Sequence, residues 1–410
     1  MRLLSLLPLL AALPTTAALA GPLTFDEALT RAAAAAPSLR ARGLDAEARR
    51  SAATAAGRLP DPRFGVGLDN FPVSGPPAFT YAGDGMTMAR VGISQDVPSL
   101  ARRRGEAARA RTEIGVADAM LVVETRRVRV AAALAWIDLA FAERRLAAID
   151  AVLARLRDFV PASAAGIASG GSRPAQALDI RQSVAGLEDR RSEIAAEVAR
   201  AKAVLARWTG DADPDIDGAI PDFAVDPATL RAAIERHPDL LAQGARTRRA
   251  EAGVTVARAG KRPDWSFDLS YGRRAERYGD MVSVGATVSL PLFSRTRQNP
   301  MIDASIAESG AARADEEDVR RGLLADLEAG IADHLMHHEQ WMRAQGTLLP
   351  LARQRADLEI ASYSAGRASL NDMIAAQTML ADASLTALDR EAMVARDGAR
   401  LVLSYGEDRS

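Results

Sequence analysis

The chain has 410 residues, a formal net charge of −1 and no cysteine. The absence of cysteine excludes disulfides, thiolate metal sites and a cysteine nucleophile, and the balanced charge does not support a nucleic-acid partner. Aromatic residues make up only 4% of the chain, which favours extended helices packed side by side over several ordinary globular cores.

The N-terminal segment has the layout of a cleaved secretory signal. Arg2 precedes an apolar run, and the run ends in the small-residue tail Ala18-Leu19-Ala20. The run is shorter than the about 20 apolar residues that a membrane-spanning helix needs. A buried N-terminal helix is the alternative reading. We predict a signal peptide over residues 1–20 and an exported mature chain, in which no cysteine is present to carry a lipid anchor.

The rest of the chain repeats one pattern of landmarks. Gly57–Asp61 matches Gly260–Asp264, and the later pairs keep nearly the same offset: Gly92 with Gly285, Pro98 with Pro291, Gly171 with Gly366, and Gln182 with Gln377. Several matches in the same order indicate a duplicated unit. We predict a first structural repeat over 21–209, a linker over 210–227, a second repeat over 228–405 and a tail over 406–410.

Each repeat is predicted to hold a short helix, a medium helix, two strands, a very long helix, a glycine-containing turn and a returning helix. In the first repeat these elements lie at 24–35, 38–57, 63–70, 86–97, 100–160 and 174–208. In the second repeat they lie at 228–236, 239–260, 265–272, 281–290, 298–361 and 369–404. At roughly 1.5 Å per residue, each long helix would extend about 90–100 Å.

The long helices carry narrow apolar stripes at helical spacing. One stripe is formed by Leu324, Leu327, Ile331, Leu335, His338 and Met342. A stripe of this length is typical of coiled-coil pairing along a tube wall and cannot be buried in a compact core.

The four strand segments alternate apolar and polar residues, so that each has one apolar face. A soluble half-buried sheet would have the same pattern, but these polar faces are small, and each segment has about the 9–11 residues of a tilted membrane strand. Four strands cannot close a barrel, and open edges are not tolerated in lipid. Other copies of the chain are expected to supply the missing strands, and three copies would give about 12 strands around a lumen.

Two clusters of candidate metal ligands occur in the sequence. The acidic linker contains Asp211, Asp213, Asp215 and Asp217, but Ala224 stands where a calcium loop needs its glutamate, which favours a solvated connector. His334, His337 and His338 share one helical face and could ligate zinc or copper. The alternative is that His338 packs in the apolar stripe while the other two lie on a solvated flank.

The C-terminal region resembles a known family. Tyr363-Ser364-Ala365-Gly366, followed by Asn371-Asp372, Ala376-Gln377 and Leu380, is similar to the signature of the TolC family of outer-membrane factors. The duplicated order of helices and strands along the whole mature chain resembles that family as well. Leu59–Pro62, Asp69–Pro72 and Gly92–Pro98 are similar to its heavy-metal efflux branch.

The resemblance implies a mainly α fold with a small membrane β-barrel. In such a homotrimer, four strands per chain form a 12-stranded barrel in the outer membrane, in contact with its lipid, and an α-helical barrel reaches into the periplasm. A periplasmic adaptor (membrane fusion protein) and an inner-membrane RND-type pump are the implied partners. The implied role is a passive exit duct for heavy-metal cations or small toxic compounds, with no catalytic residue and no cofactor.

The resemblance also implies functional positions. The helix-turn tips would meet the adaptor, and they include Gly170, Gly171, Gly366 and Arg367. Asp372 and Tyr363 would lie at the pore entrance. Ala375 stands where some members have a second aspartate, so a strong two-ring cation filter is not expected.

Other classes of function have less support. The sequence contains no glycine-rich phosphate loop, no Ser/His/Asp arrangement and no metalloprotease helix, so an enzyme is not indicated. A periplasmic coiled-coil adaptor or scaffold would explain export and long helices. It would not explain four strands of membrane length, and the location of the mature protein separates the two.

Overall fold

The computed structural model describes residues 22–157 and 174–406. The predicted signal peptide, Gly170 and Gly171, and the end of the predicted tail lie outside the described residues. Contacts divide the chain into two compact units. The first unit takes in the N-terminal segment through Ala36, Val128–Ala224 and Ala332–Arg400. The second takes in Pro37–Arg127, Val225–Ile331 and the C-terminal segment from Leu401.

The elements of the first half follow the predicted order. They are α1 (Phe25–Ala35), α2 (Pro37–Ala55), β1 (Arg63–Asp69), β2 (Met88–Val97), α3 (Leu100–Arg157) and α4 (Pro174–Thr209). Helix α1 begins where the Thr24 side chain accepts a hydrogen bond from the amide of Glu27 at 3.4 Å. None of the helices in the described part of the chain is both long and apolar enough to cross a membrane.

The second half has the same order of elements. They are α5 (Pro227–Ala232), a 3₁₀ turn (Ile234–Arg236), α6 (Pro238–Ala259), β3 (Asp264–Arg273), β4 (Met281–Ser289), α7 (Gln298–Arg343), a π-helical turn (Ala344–Leu348), α8 (Leu349–Ser364) and α9 (Leu370–Tyr405). The helix predicted to be continuous over 298–361 is therefore interrupted. Pro350 has no amide to donate to the carbonyl of Gly346, and this missing bond explains why the helix widens there.

The strands form one antiparallel sheet in the order β1-β2-β3-β4. Its register places the apolar residues of all four strands in the same rows: Val66, Val91, Tyr271 and Val282 in one, Phe64, Ile93, Leu269 and Val284 in the next. Val284 is 81% exposed and Phe64 is 74% exposed. The sheet therefore presents a continuous apolar face that nothing in the described chain covers.

The opposite face of the sheet is polar and built from small residues. Its rows include Gly65, Gly92, Ser270 and Ser283, followed by Arg63, Ser94, Asp268 and Gly285. A Cβ at Gly92 would lie 3.0 Å from the Cβ of Ser270. The close approach of β2 and β3 therefore favours glycine at this position.

The apolar stripe predicted on the second long helix is divided between two environments in a single chain. Leu327 and Ile331 are buried against Leu230, Ile234 and Leu401. Leu324, Leu335 and Met342 are exposed. Leu230, Ile234 and Leu401 cover only the stretch around Leu327 and Ile331, so the other positions of the stripe stay exposed in a single chain.

The predicted linker does not run freely through solvent along its whole length. Leu23 pairs with Ile216 in a parallel bridge, and the indole of Trp136 donates to the Leu23 carbonyl at 2.9 Å. Phe223 lies against Phe25 with ring centroids 5.7 Å apart. These contacts attach the linker to the first compact unit.

Candidate functional site

The turn between α8 and α9 is closed by hydrogen bonds at both helix ends. The amide of Arg367 donates to the Ser362 carbonyl at 2.8 Å, and the amide of Gly366 donates to the Tyr363 carbonyl at 2.9 Å. This is a Schellman motif, which needs a left-handed residue after the helix. Gly366 provides it with a φ of 69°, and a Cβ there would meet no atom of the described residues within 4 Å. The predicted tip is thus a tight, exposed turn.

Helix α9 begins with a capping box formed by Ser369 and Asp372. The Ser369 hydroxyl accepts from the Asp372 amide at 3.2 Å. In return, Asp372 Oδ2 accepts from the Ser369 hydroxyl at 2.6 Å and from its amide at 3.1 Å. The hydroxyl hydrogen bond, followed by the amide bond, holds the pKa of the exposed Asp372 carboxyl below its ordinary value. The carboxylate is therefore ionised at neutral pH.

A second acid lies beside this box. Asp179 on α4 accepts a hydrogen bond from the side-chain amide of Asn371 at 2.7 Å. Sequence reasoning missed Asp179 because it considered only positions on α9, where Ala375 replaces an acid. The capping box, in contrast, could have been found from the S-x-x-D spacing of Ser369 and Asp372.

A hydrophobic cluster beneath the turn holds α3, α4 and α9 together. Its buried members are Ile149, Val152, Leu153, Leu156, Leu187, Ile194, Leu370, Met373, Ile374, Ala381 and Leu385. Tyr363, predicted at the pore entrance, is half-buried and packs on this cluster. Its ring therefore anchors the end of α8, and a role at the pore entrance stays a prediction. Arg367 is exposed at the turn, whereas Gly170 and Gly171 lie outside the described residues.

Small residues bring α8 and α9 close together. Ala356 packs with Ala376 and Leu380, and all three are buried. Gln377, in the same stretch of α9, is only 1% exposed, and neither its amide nitrogen nor its oxygen has a hydrogen-bond partner among the described residues. An unsatisfied buried amide is costly. The closely packed stretch of α8 and α9 thus includes one buried side-chain amide, that of Gln377, whose loss of hydrogen bonds to water is not made good.

Ion pairs line the helix flanks of the same unit. Arg145 lies 2.8 Å from Asp389 and Arg396 lies 2.7 Å from Asp138, so both pairs connect α3 to α9. Burial is the main cause that raises the pKa of Asp138, and it outweighs the opposing effect of Arg396 and Arg145. Partly exposed pairs contribute little stability, so they chiefly set helix register.

The three histidines do not converge on one point. His337 Nδ1 lies 2.7 Å from Asp397 Oδ2 on α9. The rings of His334 and His338 have centroids 6.4 Å apart, and His338 is the exposed one of the three. Within residues 22–157 and 174–406, no group of three or more His, Cys, Asp or Glu side chains could hold a metal ion. The alternative that placed His338 in a packed stripe and the other two histidines in solvent is therefore reversed. His338 is exposed, whereas α9 covers the flank that carries His337.

Comparisons with known proteins agree with this architecture. Residues 229–407 match the family model described as outer membrane efflux protein. The cobalt-zinc-cadmium resistance protein CzcC of Cupriavidus metallidurans is 24% identical over 225 residues, which cover 53% of this chain and 53% of that protein. The chain thus matches only about half the length of this curated relative.

Solved structures show the same fold at low sequence identity. A crystal structure of CusC has a TM-score of 0.81 at 14% identity and covers 93% of this chain and 92% of its own. The CmeC outer membrane channel of Campylobacter jejuni has a TM-score of 0.79 at 11% identity, with coverages of 93% and 85%. The outer membrane protein VceC of Vibrio cholerae has a TM-score of 0.76 at 16% identity, with coverages of 93% and 96%. The mainly helical fold with one small antiparallel sheet, predicted from the sequence, is confirmed.

Proposed function

We propose that this chain, whose residues 229–407 match the model of the outer membrane efflux protein family, forms the outer-membrane channel of a tripartite efflux system. It acts as a passive exit duct, with the energy supplied by a pump. The observation that carries the proposal is the sheet. Strands β2, β3 and β4 have 10, 10 and 9 residues, which is about the 9–11 residues of a tilted membrane strand, whereas β1 is shorter with 7. The apolar rows of all four strands are exposed together, as on the lipid side of a membrane barrel.

The assembly that fits this sheet is a homotrimer. Strands β1 and β4 are the outer strands of the described sheet, and unpaired backbone edges are too costly in lipid to remain open. Two copies would bring about 8 strands, whose side chains fill the interior, whereas three would bring about 12 and leave a lumen. Three copies are therefore the smallest assembly that makes a duct.

The helices support an assembly in the same way. Leu335, Met342, Leu351 and Leu358 are all more than half exposed in one chain. Rows of large apolar side chains on long helices are typical of surfaces that a neighbouring helix covers. Helices of the next copy would bury them and close a helical barrel on the periplasmic side.

The partners and cargo follow from the family and from one relative. The α8–α9 turn, with Gly366 and Arg367, would meet a periplasmic adaptor, and an inner-membrane RND-type pump would deliver the substrate. CzcC is named for cobalt, zinc and cadmium resistance, so heavy-metal cations are the favoured cargo. Small toxic compounds are the second choice. The mature chain would reside in the outer membrane and extend into the periplasm.

The test is the location and assembly of the mature protein. The full chain, expressed in a Gram-negative host, should be found in the outer-membrane fraction and elute as a trimer in mild detergent. The purified trimer should conduct ions in planar bilayers. A monomer in the soluble periplasm, with its strands still formed, would contradict the proposal and favour the scaffold alternative.

A further inference from the structure

One end of the sheet, where its strands start or stop, carries a band of basic residues that the proposed duct does not require. Because the strands are antiparallel, β1 and β3 start at this end, and β2 and β4 stop at it. The adjoining stretches are 58–62, 98–104, 260–263 and 290–297, which we call the basal segments.

The basal segments contain eight basic residues and a single acid, Asp61, although the whole chain has a net charge of −1. Arg102 is paired with Glu106 and Asp264, both at 3.1 Å, and Arg103 donates to the Gly57 carbonyl at 2.8 Å. The other six are exposed and form no ion pair with any described residue: Arg58, Arg104, Lys261, Arg262, Arg295 and Arg297. The positive charge is therefore local and uncompensated.

Large apolar side chains are interleaved with these cations. Leu292 and Phe293 are 74% and 75% exposed and lie three and two residues before Arg295. Trp265 stacks on Phe267 with ring centroids 6.3 Å apart, at the first positions of β3. A groove of about 330 Å³ beside Trp265 is lined by Leu100 and Arg262 among others. Aromatic and leucine side chains beside arginines are typical of a membrane–water interface.

We propose that the basal segments bind the headgroup phosphates of anionic phospholipids in the adjacent membrane leaflet. The guanidinium groups supply charge and paired donors for phosphate oxygens, while Leu292, Phe293 and Trp265 reach the acyl boundary. A soluble polyanion would satisfy the charges and leave these apolar side chains in water. The inference rests on the proposed function, since it requires the apolar face of the sheet to lie in lipid.

The test compares lipid selectivity in the reconstituted full-length protein. Spin-labelled phosphatidylglycerol and phosphatidylcholine are placed in the same vesicles, and their relative association with the protein is measured at low and high salt. Wild type should favour phosphatidylglycerol, and salt should weaken that preference. In the test variant, Arg295→Gln with Arg297→Gln, the preference should fall on the order of fivefold.

The matched control is Arg353→Gln with Arg355→Gln on α8. These two arginines are also exposed and have the same spacing, so the net charge changes equally. The control should keep wild-type selectivity. Equal association of both lipids with a wild-type protein that reconstitutes and conducts would overturn the headgroup site and leave the duct in place. Failure of wild type to enter vesicles of either composition would overturn both. Equal loss in the control would also overturn the site, because net charge alone would then explain the preference.

Discussion

Asn371, at the start of α9, donates a hydrogen bond to Asp179 on α4 at 2.7 Å. This contact joins the ends of two returning helices beside the capping box of Ser369 and Asp372. The carboxylates of Asp179 on α4 and Asp372 on α9 therefore lie beside the same α8–α9 turn. If this turn borders the pore, each chain contributes two acids to the entrance, although α9 itself provides only one.

The first prediction concerns charge at the entrance. Asp372→Asn should lower cation preference in planar bilayers without abolishing conductance, because three carboxylates near a pore mouth attract cations. Asp179→Asn should have an effect in the same direction. Reversal potentials in a salt gradient measure the change.

The control for this prediction is Ser369→Ala. It breaks the capping box at a cost of roughly 1 kcal/mol but keeps the carboxylate of Asp372. Ser369→Ala should therefore leave ion selectivity unchanged. If Ser369→Ala and Asp372→Asn shift the reversal potential equally, Asp372 acts only as a helix cap.

The second prediction concerns the exposed turn. Gly366→Val should leave trimer assembly intact, since a Cβ there would meet no atom of the described residues within 4 Å. The left-handed φ of 69° should cost about 1–2 kcal/mol or more locally. Efflux should fall, because the altered turn would no longer fit the adaptor. Resistance of a pump-containing host to the pump's substrate is the measurement.

Gly279→Val is the matched control for the turn. Gly279, in the β3–β4 connection, has a φ of 70°, and a Cβ there would also meet no atom of the described residues within 4 Å. Valine is strained there at least as much, because a φ of 70° with a ψ of 162° is open essentially only to glycine, but Gly279 does not belong to the α8–α9 turn. Full resistance with Gly366→Val at normal expression, or an equal loss with Gly279→Val, would refute the adaptor role of the turn.

The third prediction separates a membrane sheet from a soluble one. Val284 is 81% exposed in the single chain, so Val284→Arg would be nearly neutral in a soluble protein. On the lipid face of a barrel the same change should cost about 2–4 kcal/mol per chain near the membrane centre. Outer-membrane yield and trimer stability in detergent should both fall.

Ser283→Arg introduces the same side chain one residue earlier, on the polar face. It should be tolerated better than Val284→Arg, because that face would line the lumen. Equal tolerance of both variants would be inconsistent with a lipid-facing Val284.

The fourth prediction concerns pH. Burial lowers the pKa of His334 below its ordinary 6.5, against the opposing charge of Asp397 and with smaller contributions from His338 and His337. The unfolded chain then binds the proton more readily than the folded one. The stability that neutral His334 gives the folded chain is therefore fully present above its ordinary pKa and is lost as the pH falls below that pKa.

His334→Phe should remove part of the acid-induced fall in melting temperature, and it also eliminates a buried Nδ1 without a partner. Thermal unfolding of the trimer on both sides of pH 6.5 is the measurement. His338→Gln, at the exposed position, should keep the wild-type change of melting temperature with pH. If the melting temperatures of wild type and His334→Phe change equally with pH, His334 does not contribute to the acid-induced fall.

The order and type of nearly all elements could be predicted from the pattern of residues along the chain. The alternation of Trp265, Phe267, Leu269 and Tyr271 and the glycine of the α8–α9 turn depend on neighbours along the chain, so their local patterns carry the information. The π-helical turn was not predicted, although Pro350 is visible in the sequence and its missing amide acts on the preceding turn.

Contacts between distant segments could not be predicted in this way and are seen only in the folded chain. Strand register placed Phe64, Ile93, Leu269 and Val284 in one row, although each strand alone could slip by two residues and keep its alternation. The burial of Leu327 rather than Leu324, and the partners of His337 and Asn371, likewise depend on which helix lies opposite. Periodicity identifies a face but not its neighbour, because the same period fits any partner of matching shape.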